Sequence, residues 1–200
     1  MRTFCLTLPE NESRMEKART HFHRVGLAGV TFFHGINGPL SGLKTINPYE
    51  VDHPDSGYTV GPKVIGIYLS HYMLWSALQL LQDDHFLILE DDAKFQDDWK
   101  KRFDQALLDA PPDWDMIYFG SCCCAGRPQT RVRGEVWEVK YPMCLQAYGV
   151  AQKALPGLLS TTRKIYAPID ITIPFHAAPL LKIYTVLPSI VGQFDTDLTP

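Results

Sequence analysis

The run His85-Phe86-Leu87-Ile88-Leu89-Glu90-Asp91-Asp92 constrains this chain more than any other stretch. Four consecutive apolar residues without alternation suit a strand covered on both faces, the habit of a central strand in a parallel sheet. Such a strand delivers its three acids to the carboxyl end of the sheet, where open α/β sheets place their ligands. Because side chains alternate along a strand, Asp91 points the opposite way from Glu90. Three adjacent carboxylates repel one another and are costly to desolvate unless a cation sits among them. For an all-oxygen site the simplest cation is Mg²⁺ or Mn²⁺, which in turn points to a phosphate-bearing substrate. The plain alternative is a solvated acidic turn behind a core strand.

The rest of the chain supplies an α/β frame for that strand. Thr3 to Leu8 reads as a first strand, followed by a helix capped by Asn11 or Ser13, with Met15, Ala18, Phe22 and Val25 at helical spacing. Val30 to His34 is the second strand, so the chain opens with a βαβ unit. Arg14 falls at the start of that helix, where a guanidinium and free backbone N–H groups can meet a phosphate; an exposed surface arginine is the competing reading. Residues 37 to 62 are rich in Gly, Pro, Asn, Asp and Ser and read as a long loop over a binding site. Lys63 to Gln82 is an apolar helix interrupted by Ser70 and His71. Further helices are expected over 96–110 and 155–163, and strands over 114–120, 135–141, 145–151 and 182–187. Pro168-Ile169-Asp170 reads as an extended turn carrying an acid. With 200 residues and no repeat, a single domain over 1–200 is expected.

Composition removes several classes. A net charge of −3 without any Lys/Arg run gives no footprint for nucleic acid. No stretch approaches the length of a membrane span, and Met1 to Glu10 lacks a signal pattern, so the expected location is cytoplasmic, at most peripheral to the inner face of a membrane. Cys122, Cys123 and Cys124 are too close together to bridge one another and lack zinc-pair spacing, so reduced thiols are expected.

Several ordered blocks resemble glycosyltransferase family 25. Gly66-Ile67-Tyr68-Leu69-Ser70-His71 with Leu74-Trp75 resembles its Ser-His helix, and Leu87 to Asp92 resembles its acidic strand end. Trp114 to Gly120, Ala147-Tyr148-Gly149-Val150, Pro168-Ile169-Asp170 and Pro188 to Gln193 resemble later blocks in the family's order. Ile67 stands where the family commonly has Cys, and Leu145-Gln146 where it has Thr-His. The resemblance implies a single GT-A-like α/β domain with a mostly parallel central sheet flanked by helices. It also implies transfer of a hexose such as galactose from a UDP-sugar to a glycan or lipooligosaccharide hydroxyl, a protein hydroxyl being the lesser choice, with inversion and with Mn²⁺ or Mg²⁺. Under that resemblance Glu90, Asp92 and His176 hold the metal, with Asp195 and Asp197 as rivals to His176. Arg14, Ser70, His71, Glu90 and Asp91 contact the donor, and Asp170 is the catalytic base. Two competitors remain at this level. One is a catalytically silent sugar-nucleotide-binding or scaffold protein of the same fold. The other is a two-metal phosphoesterase, for which the sequence offers too few clustered ligands.

Overall fold

The computed structural model describes residues 1–46, 59–121 and 129–194. An eight-stranded sheet runs through it in the order β2-β1-β3-β8-β5-β9-β7-β6. Its strands are β1 (Arg2–Thr7), β2 (Val30–His34), β3 (His85–Glu90), β5 (Met116–Gly120), β6 (Gln129–Arg133), β7 (Val136–Val139), β8 (Ala147–Ala151) and β9 (Ile183–Val186). A small two-stranded ribbon pairs β4 (Ala93–Phe95) with β10 (Val191–Gln193). The sheet is mixed. β1 is parallel to β2 and β3, and β5 to β9, but β8 lies antiparallel between β3 and β5. The acidic strand is therefore internal, as its unbroken apolar run requires, and Phe86 to Leu89 are all buried.

Alternation along the strands assigns the two faces. Phe119 turns to Phe103 on α3 (Trp99–Asp109), and that layer continues through Phe95 and Phe22 on α1 (Glu12–Arg24). Tyr118 turns the other way toward Tyr148, beneath α2 (Pro62–Leu78) and α4 (Leu155–Thr161). The helices thus cover both faces of one sheet. Asp170 does not lie in an extended turn as the sequence suggests. It sits in the first turn of a four-residue helix, α5 (Ile169–Thr172), which runs into a π-helical turn over Ile173–Ala177. An element that short leaves no readable period.

Gly66 has a steric reason to be glycine. The chain leaving β2 crosses α2 at backbone contact, and a Cβ on Gly66 would fall against the Ile36 carbonyl oxygen and 2.7 Å from the Gly38 nitrogen. Both neighbours are main chain and have little room to yield. We expect Gly66→Ala to destabilise the fold by about 1–3 kcal/mol, the usual cost of overpacking, as measured by urea unfolding. An unchanged midpoint would mean that the two backbones part easily at this crossing. The base of the 37–62 loop is closed by a bridge between Ile46 and Val60; residues 47–58 lie outside the described residues.

The thiols depart from expectation. Cys5 is free and buried, but Cys144 is disulfide-bonded. Close spacing excludes bridges within the Cys122–Cys124 run, but it does not bear on Cys144, which precedes β8, the neighbour of β5 in the sheet. The expectation of reduced thiols is therefore corrected at Cys144 and holds at Cys5. Among the described residues no helix is long and apolar enough to cross a membrane.

Candidate active site

The carboxyl end of β3 opens into a cavity of about 500 Å³, within the range of a nucleotide or other small ligand. Glu90, Asp91 and Asp92 line it together with Arg14, Asn11, Lys63, Ser70, His71 and Gln193, and the chain from Gly35 to Pro39 closes one side.

Strand alternation separates the acids as the sequence predicts. Glu90 faces α2, where its Oε1 lies 3.2 Å from His71 Nε2. Asp91 faces α1. Its Oδ1 takes the Arg14 guanidinium at 2.6 Å, and its Oδ2 accepts a hydrogen bond from the Thr7 hydroxyl at 3.0 Å. Asp92, just past the strand, reaches the same guanidinium through Oδ2 at 3.2 Å. The cation that three neighbouring carboxylates demand is thus supplied in part by the protein itself, from the first turn of α1. Asn11 holds the N-cap position of that helix but makes no side-chain capping bond; it faces the cavity instead.

Neutralisation is incomplete. Asp92 Oδ1 is buried without a hydrogen-bond partner. Burial, reinforced by Glu90 and opposed by Arg14, pushes its carboxyl up to about 6. An orphaned carboxylate oxygen beside a second acid fits the donor chemistry of a hard divalent cation. Among the described residues no three His, Cys, Asp or Glu side chains are gathered for a metal ion. The His176 ring lies tilted against Tyr166 with centroids 5.6 Å apart, and the structure does not assemble it with Glu90 and Asp92. Asp195 and Asp197 lie outside the described residues.

Asp170 is brought into the same electrostatic field. It is half-buried and accepts a hydrogen bond from the Cys144 backbone N–H; burial, with a smaller contribution from Glu90, raises its carboxyl above the usual range. Ser70 lines the cavity, but its hydroxyl accepts from Ile36 N–H at 2.8 Å and donates to the Gly66 carbonyl at 2.7 Å. It therefore ties the cavity wall to α2. Sequence reasoning missed Thr7, which holds Asp91, and the buried partners of His71. Tyr148 OH lies 2.9 Å from His71 Nδ1, and Trp75 Nε1–H donates to the same hydroxyl at 2.9 Å. A tyrosine between alanine and glycine in a buried strand was a signal that its hydroxyl needs a partner.

A sheet of this order, covered on both faces and opening at an acidic strand end onto a ligand-sized cavity, is the fold of the GT-A glycosyltransferases. A crystal structure of a glycosyltransferase involved in the glycosylation of the major capsid of PBCV-1 superposes with a TM-score of 0.53 at 12% identity, over 92% of this chain and 79% of that one. The match to a family model is more specific. Residues 1–122 fit the one described as glycosyltransferase family 25 (LPS biosynthesis protein), and the chain belongs to that family. A glycosyltransferase 25 family member from Aedes aegypti is 33% identical over 127 residues, covering 58% of this chain and 20% of that protein. An inactive glycosyltransferase 25 family member 3 from Homo sapiens is 24% identical over 140 residues, covering 66% of this chain and 23% of that protein. The chain thus spans about a fifth of the length of these relatives.

Proposed function

We propose that this cleft moves a hexose, galactose being the first choice, from a UDP-sugar to a hydroxyl of a glycan or lipooligosaccharide, with inversion. The observation carrying this reading is one cavity of about 500 Å³ lined by the Glu90–Asp92 acids and by the cations Arg14 and Lys63. Leaving of a nucleoside diphosphate concentrates charge that cations must meet in the transition state. Arg14 and Lys63 line the space where a diphosphate would lie. Asp92 and Glu90 would hold Mn²⁺ or Mg²⁺, which supplies further neutralisation of the departing diphosphate. Asp170, its basicity raised by burial, takes the proton of the acceptor hydroxyl, a contribution of roughly 10²–10⁴ in rate.

The test is a thermal-shift comparison of UDP-, GDP- and CMP-sugars, each with and without Mn²⁺. A UDP-sugar at 100 times its Kd stabilises by about 2.7 kcal/mol, so a clear rise confined to UDP-sugars is expected. No rise with any UDP-sugar would remove the proposal. A second reading, a cleft that binds donor without turning it over, is favoured by the relatives named inactive. Slow hydrolysis of a bound UDP-sugar separates the two, since only a working cleft releases free sugar.

A further inference from the structure

The buried chain behind Glu90 has a direction that its hydrogens determine. Trp75, Tyr148 and His71 are each 1% exposed or less, so no solvent completes their bonding. An indole N–H can only donate. Trp75 Nε1–H therefore donates to Tyr148 OH at 2.9 Å, leaving the hydroxyl one proton to place. Its other neighbour is His71 Nδ1, also at 2.9 Å. If the tyrosine donates there, Nδ1 is the acceptor nitrogen and the ring proton sits on Nε2, facing Glu90 Oε1 at 3.2 Å. The opposite tautomer would set a bare Nε2 lone pair against a carboxylate and leave the tyrosine proton without an acceptor among the described residues. Either mismatch is costly for a buried group, which has no solvent to turn to.

We propose that Tyr148, anchored by Trp75, is a positioning residue: it fixes His71 as an Nε2–H donor that holds one Glu90 oxygen and orients the carboxylate at the cavity. Register supports this division. Tyr148 pairs with Ile88 across β8 and β3, two residues before Glu90, so both side chains stand on the face covered by α2. The consequence for donor binding rests on the function proposed above; the tautomer does not.

Two readouts test it. Long-range ¹H–¹⁵N spectra of the full chain report which imidazole nitrogen of His71 is protonated. The wild type should show a protonated Nε2 and a bare Nδ1. Tyr148→Phe, or Trp75→Phe should the first variant fail to fold, should mix the tautomers. A wild-type spectrum with protonated Nδ1, or an unmixed spectrum in both variants, overturns the proposal. Calorimetric titration with UDP-galactose and Mn²⁺ reads the second arm. His71→Asn, which lacks the reach to Glu90, should bind roughly tenfold more weakly, whereas His71→Gln, whose amide can donate from near the Nε2 position, should recover most of that loss. Equal weakness of the two variants overturns the positioning role. If the wild type takes up no UDP-sugar, the proposed function fails, while the spectra still decide the hydrogen-bond chain.

Discussion

Asp92→Asn is expected to give a protein that is more stable and, under the proposed function, no longer able to transfer sugar. Asp92 carries a half-buried carboxylate whose Oδ1 is buried and unpartnered, beside Glu90. Its carboxyl is raised from 3.8 to about 6, so at pH 7.5 the folded state holds an anion that the unfolded chain carries more comfortably. The shift corresponds to about 3 kcal/mol of stability, present below the unfolded value of 3.8 and lost as pH rises through 6. Asparagine resembles the protonated acid, and Arg14 keeps its 2.6 Å contact with Asp91. Urea unfolding at pH 7.5 should therefore show Asp92→Asn more stable by about 1–3 kcal/mol. If the proposed function holds, sugar transfer should fall by roughly 10³-fold or more, since several kcal/mol of charge stabilisation at the leaving diphosphate would go with the carboxylate. A destabilised variant would refute the buried-charge argument, and retained turnover would refute the role of Asp92 in donor activation.

The surroundings of Asp92 divide into features that local sequence dictates and features that only the tertiary fold brings together. The internal strand, its acidic end and the opposite directions of Glu90 and Asp91 follow from an apolar run and a period of two, and the structure has all three. Helical spacing places Arg14 at a helix start, yet spacing is silent on which charge it meets, because Asp91 is brought to it only by sheet pairing. The same limit hides Trp75, Tyr148 and Thr7, whose roles are contacts across 73 to 84 residues of chain. Short elements escape for a different reason. β4 and β10 have three residues each and show no period, and β6, Gln-Thr-Arg-Val-Arg, is an exposed edge strand without an apolar face. A mostly parallel sheet is the sequence expectation, and the antiparallel direction of β8 is not legible in Ala147 to Ala151, which is apolar in either sense.

Acid should expose a second buried group with the opposite sign. His21 is 4% exposed on α1, and its Nε2 accepts a hydrogen bond from Phe95 N–H at 2.8 Å, fastening α1 to β4. Burial, with Arg24 and Lys94 nearby, lowers its pKa from 6.5 to about 4. The fold thus requires neutral His21, and the associated stability is complete above 6.5 and lost as pH falls toward 4. The size is again about 3 kcal/mol. Over the same window Asp92 gains a proton and relieves the fold by a similar amount, and Asp170, also raised, acts in the same direction as Asp92. In the wild type the two opposing contributions largely cancel, so stability between pH 6.5 and 4 should change little on their account. Asp92→Asn removes its part of that balance, leaving Asp170 alone against His21, and should lose up to about 3 kcal/mol between those limits, measured by urea unfolding in matched buffers. His21→Gln, which keeps an acceptor for Phe95 N–H, should do the reverse and grow more stable as the pH falls. Parallel pH profiles for the two variants would mean that neither group titrates where its surroundings place it.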